Sequence, residues 1–386
     1  MGKEIAMSET KNKYLVKLIP LGKFFFGGDM TFQSDSLKGK EVTNYASYII
    51  HSFKMPQQTS LLGMLRFLLL SNNDQLFDSK ENHIKKGVVN EVMAWIGEKS
   101  FNVKSDHIEA NFGKIDRLGP CFLYNQKECK AYFKEGYDAD LDVDFSKSIC
   151  ANINQVKMEI PQIRMRKNKS PNYSGKEQLG TYYITPDGTD RKKEEDLFKK
   201  DSRIGIDKDY EGKVKNAAFY KQISYRLERD FCFAFEVEAK ADLTVYSGTF
   251  VKLGADDSNF LFKAELSDGQ CGFLPHEADS LRVVLLSDSY LPLFVEKEKK
   301  TMEYVRYAIT RVRPFRFLSS SNSIEARDYN VKYKSLRSFE RYDLYESGSV
   351  FYFENSTKMD EFCKALDSCK EFVQVGYNKY CKIKQK

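Results

Sequence analysis

The side chains able to move a proton or hold a metal are few and scattered. Four histidines stand at 51, 83, 107 and 276, none beside a nucleophile or a second ligand. No GxSxG, HExxH or GxxxxGK[ST] phrase occurs. His51 lies between an expected strand and an expected helix, where a metal-independent ribonuclease would carry a general base. A surface or structural histidine is the plainer reading. The eight cysteines, at 121, 129, 150, 232, 271, 363, 369 and 381, form no CxxC pair and no zinc-spaced cluster with histidine. They read as reduced, mostly buried thiols of a cytosolic protein. DADLDVD (138–144) offers four aspartates but lacks the EF-hand glycine and closing glutamate, so an exposed acidic loop is expected. No metal and no cofactor is implied.

Binding chemistry is better represented. KMPQQTSLLGMLR (54–66) sets Gln57, Gln58, Thr59 and Ser60 in front of an apolar run with helical spacing. A helix N-terminus has unpaired N–H groups and a positive dipole end, which accept phosphate. The four polar side chains would add neutral donors there, and Arg66 would reach a phosphate or an acidic partner. Ordinary capping, by Thr59 or Ser60, is the competing reading. Lys23 precedes FFFGG, where Gly27 and Gly28 suit a tight turn or a close backbone approach to a ligand. Residues 157–229 carry 18 Lys/Arg against 12 Asp/Glu, an excess equal to the +6 of the whole chain. Within them Arg164, Arg166, Lys167 and Lys169 interleave with Ile163, Met165 and Tyr173. Cations of this kind track a phosphate backbone while apolar tips stack on bases, though a solvated hairpin has the same composition. Arg203 belongs to the same region. Arg311, Arg313 and Arg316 form a second stripe in TRVRPFRFL (310–318).

The elements that must hold these groups follow from periodicity. YLVKLIP (14–20) alternates as a strand, and Leu61, Leu62, Leu65, Leu68 and Leu69 recur as on a helix. A second helix is expected over 88–96, stopped by Gly97. FCFAFEVEA (231–239), LRVVLLS (281–287) and GSVFYFE (348–354) read as strands, the first with Phe231, Phe233, Phe235 and Val237 on one face. From Ser356, with Ser356 or Thr357 as cap, Met359, Phe362, Cys363, Leu366 and Phe372 share a helical face; Val373, Val375 and Gly376 then begin a last strand. Residues 1–13 are polar, and the longest apolar stretch, 61–70, is too short to span a bilayer. The pattern is α+β, with helices on mainly antiparallel sheets. At 386 residues it suggests two domains.

These pieces, in order, resemble a known family. FFFGGDMTF (24–32) followed by P-x-x-T-S-L-L-G-M-L-R (56–66) is similar to the opening of the RAMP proteins of CRISPR effector complexes. RLGP (117–120), RIGID (203–207), AAFY (217–220), FVKLGADD (250–257), ESGSVFYFE (346–354) and QVGYNKY (374–380) continue the series. It most resembles the third-subunit family of the type III-B (Cmr) complex, in the Cas-five-like group. The helix phrase departs from the family with Gln58-Thr59-Ser60, and the C-terminal glycine-rich loop is reduced to little beyond Gly376.

The resemblance implies two ferredoxin-like (RRM-like) domains with a β-hairpin thumb insertion. Residues 1–230 would form the first, with the thumb at about 150–215, and 231–386 the second. It implies a non-catalytic, cytoplasmic subunit that grips the 5′ handle of the crRNA. Its partners would be the large polymerase/cyclase subunit, the backbone RAMP subunits and, indirectly, target RNA, with no membrane. The RNA-facing residues would be Lys23, Gly27, Gly28, Gln57, Gln58, Thr59, Ser60, Arg66, Ile163, Arg164, Met165, Arg166, Arg203, Arg311 and Arg313, with Gly63 allowing close helix–sheet packing. Three alternatives stay open: a RAMP endoribonuclease cutting precursor crRNA with His51 as base, an adaptor without RNA contact, and the equivalent subunit of a Csm (type III-A) complex.

Overall fold

The computed structural model describes residues 11–28, 30–33, 47–97, 101–103, 107–153, 156–166, 173, 175, 178–208, 210–267, 280–296, 299–315 and 341–384. Lys167, Lys169, Cys271, His276 and Arg316 lie outside them. The chain begins with β1 (Asn12–Pro20), β2 (Met30–Gln33) and β3 (Ser47–His51). Next come α1 (Gln58–Ser71), the two-residue strands β4 (Phe77–Asp78) and β5 (His83–Ile84), and α2 (Val89–Ile96). Then follow β6 (Ile115–Leu118), β7 (Phe122–Asn125), β8 (Lys130–Lys134), β9 (Leu141–Ile153) and β10 (Val156–Met165). After β11 (Tyr182–Ile184), β12 (Arg191–Lys193) and the one-turn α3 (Glu194–Leu197) come β13 (Phe198–Lys208) and β14 (Val214–Leu227). β15 (Phe231–Ala239), β16 (Phe250–Lys252) and β17 (Asn259–Leu266) close the first half. The second half holds β18 (Arg282–Leu285), β19 (Phe294–Glu296), β20 (Lys299–Lys300), β21 (Tyr307–Ile309), β22 (Val312–Phe315), β23 (Tyr342–Tyr345) and β24 (Val350–Tyr352). It ends with α4 (Ser356–Ser368), α5 (Lys370–Gln374) and β25 (Tyr380–Lys382).

The larger sheet runs β12-β11-β8-β7-β15-β1-β17-β16, with β6 also paired to β15. The second runs β21-β24-β18-β25 and is antiparallel throughout. Alternation in β1 sends Tyr14, Val16 and Leu18 to one face, against the leucines of α1, and Leu15 to the other. β15 is buried on both faces. Phe231, Phe233, Phe235 and Val237 meet α1, while the smaller Cys232 and Ala234 meet Val284, Val350 and Cys381 of the second sheet. The far face of that sheet, with Val283, Leu285 and Phe351, is covered by Met359, Phe362, Cys363 and Leu366 of α4. The layers are therefore α1, large sheet, small sheet, α4. Each buried Leu, Val or Phe contributes about 1.5–3 kcal/mol by leaving water.

Several expectations are corrected. The boundary at 230/231 falls inside the large sheet, because β15 and β17 both pair with β1. The basic region is not one thumb over 150–215. It is two long hairpins, β9–β10 and β13–β14, and the first begins at Leu141. β13–β14 extends into a sheet of order β13-β14-β3-β2, in which β14 and β3 run parallel. DADLDVD is no exposed acidic loop. Asp138 is fully buried, taking bonds from Arg282 (Nε 2.7 Å, Nη2 2.5 Å) and from the Tyr352 hydroxyl. Asp140 pairs with Arg191, and Asp144 accepts from Ser146.

The helix ends differ too. α1 is capped by the extended backbone of Gln57 without a side-chain acceptor, so Thr59 and Ser60 sit inside its first turn. Gly63 faces outward with nothing within 4 Å of where a Cβ would stand, so it serves no close packing. Asn355, not Ser356 or Thr357, caps α4 through a 2.9 Å bond from Lys358 N–H. Val373 remains helical, and the last strand begins only at Tyr380. Cys232, Cys363, Cys369 and Cys381 are buried thiols, whereas Cys129 and Cys150 are exposed. Among the described residues no helix is long and apolar enough to cross a membrane.

Candidate nucleic-acid interface

Three motif stretches far apart in sequence meet at the N-terminal end of α1. The buried Gln58 amide donates to Gly119 O and Val375 O, both at 2.8 Å, and its carbonyl accepts from Cys121 N–H at 3.1 Å. RLGP and QVGYNKY are thus clasped to the helix by one side chain. Gly376 (φ 90°) follows the clasp, where a Cβ would stand 1.9 Å from Gln58 Nε2. Gln58 was expected to offer its amide to RNA; its bonds are made to protein instead. Gln57 and Thr59 are half-buried, and Ser60 is exposed.

Cations surround this end. Lys54 and Lys134 both pair with Glu194, and Lys134 Nζ stands 4.8 Å from the Tyr183 ring centre. Burial pulls the Lys134 pKa below its ordinary value, with Glu194 opposing it. Burial works to raise the Glu194 carboxyl, but Lys134 and Lys54 together hold it below the usual range. Arg311 is exposed, donates to Leu179 O at 3.1 Å and lies 5.2 Å from the Tyr137 ring centre. Arg313 is a correction to the basic stripe. β22 turns Arg313 and Phe315 inward and Val312 outward, so Arg313 is buried, paired with Asp288 and set 4.7 Å from the Phe53 ring centre. Arg66 also turns inward, donating to Ile96 O (2.6 Å) and Gly97 O (3.2 Å). It ties α1 to the carbonyl end of α2, which welcomes a cation.

The FFFGG segment continues this surface. Phe53 N–H donates to Phe26 O at 2.9 Å, and Ala255 N–H to Phe25 O at 2.9 Å, which joins FVKLGADD to it. A Cβ on Gly28 would lie 1.7 Å from His51 O, so the close approach requiring glycine is to protein backbone rather than to a ligand. Gly27 is exposed and open. Lys23 lies 4.0 Å from Asp201, which also pairs with Arg226 at 3.1 Å. Arg203 is exposed on β13, opposite Gln222 of β14. Two positions on, Gly205 of RIGID lies against the Tyr220 ring of AAFY. The His51 side chain is exposed and makes no hydrogen bond to any described residue.

On the β9–β10 hairpin, Arg164 and Arg166 are exposed and without an ion pair among the described residues, while Ile163 and Met165 are half-buried. Asp142 stands opposite Arg164 in the register. The hairpin is docked on the second sheet by Glu159, whose carboxylate takes two bonds from Arg306 at 2.7 and 2.8 Å. Hydrogen bonds from Arg306 and then Ser148 pull the Glu159 pKa down to about 2. The sequence reading missed Lys54, Lys134 and Glu194. Lys54 was visible as the first residue of the polar stretch, but only the fold brings it to Lys134 and Glu194.

The family model described as CRISPR-associated protein (Cas_Cmr3) matches residues 16–384. No curated protein matches the sequence. Among solved structures, a chain of the type III-B Cmr-beta complex bound to cognate target RNA is 12% identical, with 95% of this chain and 96% of that chain covered and a TM-score of 0.48. A chain of the same complex bound to target RNA and AMPPnP is also 12% identical, covering 95% of each, again at 0.48. A chain of the Csm3–Csm4 subcomplex of type III-A is 10% identical, with 88% and 93% covered and a TM-score of 0.34. With its motif series in order and the family model spanning nearly its whole length, the chain belongs to the Cas_Cmr3 family, subunits of type III-B CRISPR effector complexes.

Proposed function

We propose that this subunit is the non-catalytic member of its complex that grips the 5′ handle of the crRNA and bridges the large polymerase/cyclase subunit to the backbone RAMP subunits. The observation that carries the reading is the convergence of the polar stretch, RLGP and QVGYNKY on the N-terminal end of α1, with Lys54, Lys134 and Arg311 around it. That end offers backbone N–H donors to phosphate. Gln57, Thr59 and Ser60 are left to read splayed bases, and Arg164, Arg166 and Arg203 to follow the backbone. Both sheets place their four central strands in the order second, third, first, fourth: β7-β15-β1-β17 and β21-β24-β18-β25. This order supports reading each as a ferredoxin-like unit reduced to one long helix, α1 or α4.

Ultraviolet crosslinking and mass spectrometry on the assembled complex tests this. Handle crosslinks are expected at 23–28, 54–60 and 163–166. Crosslinks confined to other subunits would make the chain an adaptor. Metal-independent cleavage of repeat RNA by the chain alone, abolished by His51→Ala, would make it an enzyme.

A further inference from the structure

Glu194 is shared by two lysines that differ in their access to solvent. Lys54 donates to its Oε1 and Lys134 to its Oε2. The Lys134 side chain is 11% exposed and that of Glu194 12%, whereas that of Lys54 is 30% exposed. Lys134 therefore stands behind the carboxylate and Lys54 in front of it. Burial works against the Glu194 charge, and Lys134 and then Lys54 hold it ionised. Lys134 shares a cavity of about 40 Å³ with Pro56 and Gln58, which puts the triad beside the N-terminal end of α1. Lys54 Nζ is also fixed 5.7 Å from the Tyr225 ring centre. Glu195, next along the chain, lies 3.5 Å from Lys193 instead.

Two ammoniums against one carboxylate leave one positive charge, and the order of burial decides where it appears. Opposite charges attract most strongly where water is excluded, so the inner lysine answers the carboxylate and the outer one keeps its charge toward solvent. We infer that Lys134 is a positioning residue which, by neutralising Glu194 from inside, leaves Lys54 to bind a single phosphate of the RNA. The inference deepens the RNA grip proposed above and rests on it. Its consequence is that a lysine touching no RNA sets the salt dependence of RNA binding. Without Lys134, Lys54 and Glu194 become a neutral pair and one phosphate contact is lost. With Glu194 made neutral as well, the charge of Lys54 returns.

Binding of a fluorescent single-stranded RNA of the handle sequence to the full-length chain, followed over a salt series, tests this. Lys134→Met keeps the stem beside Tyr183 and is expected to lower the slope of log affinity against log salt by roughly 0.7, the value of one phosphate on a single strand. Lys54→Met should lower it equally. Adding Glu194→Gln to Lys134→Met should return the slope, whereas adding it to Lys54→Met should not. Thermal unfolding checks each variant, and if Lys134→Met alone fails to fold, the two double variants still carry the comparison. A wild-type slope in Lys134→Met, or a slope that Glu194→Gln does not recover, would overturn the inference and leave the RNA grip standing. A wild-type chain that binds no handle RNA, with handle crosslinks confined to other subunits, would overturn both together.

Discussion

Gln58 shows what one side chain decides. Its three bonds satisfy two carbonyls and one N–H of loops far apart in sequence. Gln58→Ala should cost about 2–4 kcal/mol in urea unfolding, because buried polar groups lose their partners. It should also disorder RLGP relative to QVGYNKY, visible as faster amide exchange at Gly119 and Gly376. Gly28→Val should cost roughly 3 kcal/mol or more, since the His51 carbonyl occupies the space a Cβ needs. A variant of normal stability with weakened RNA binding would return Gly28 to the ligand role expected from sequence. Residue types were legible at both positions, but their partners were not. A glutamine before a helix has the same sequence signature whether its amide meets RNA or a carbonyl 61 or 317 residues away.

At the scale of elements, periodicity served well where one face is buried. α1, α2 and β1 lie within a few residues of their expected spans, whereas the helix expected from Ser356 through Phe372 breaks at Cys369 into α4 and α5. It failed where tertiary contacts set the facing. The TRVRPFRFL alternation was visible, but which side faces water was set by Asp288 taking Arg313 inward. The basic hairpin was legible as composition and not as docking. Its attachment should depend on pH. The Glu159 carboxyl is depressed from about 4.5 to about 2 in the folded chain, so its contribution is whole above pH 4.5 and is lost as pH falls toward 2. Amide exchange in β10 should accelerate over that window, and Arg306→Leu should remove the effect. On its exposed side, Arg164→Ala with Arg166→Ala should weaken crRNA binding and lower the salt slope by roughly 0.7 per lost contact. An unchanged slope would take both arginines off the RNA backbone.

Across the whole molecule, the two sheets are joined by an apolar layer with one ion pair inside it, Asp138 with Arg282. Arg282→Met alone should destabilise the chain by about 3–5 kcal/mol by stranding a buried carboxylate. Adding Asp138→Leu should recover much of that. A cost in Arg282→Met below about 1 kcal/mol would mean water reaches the pair. The α+β class was legible from the order of elements. The boundary was not, because the basic insertion separates strands that end up side by side. This arrangement bears on how the protein is made. The neighbours of β1 are β15, which starts at Phe231, and β17, which starts at Asn259. At about 5–20 residues per second, a ribosome needs roughly ten to forty seconds to deliver the first of them. For that interval the emerging chain exposes an apolar strand with both edges bare. A nascent chain stalled before residue 231 is therefore a natural client for chaperones, and a fragment cut there should aggregate when expressed alone.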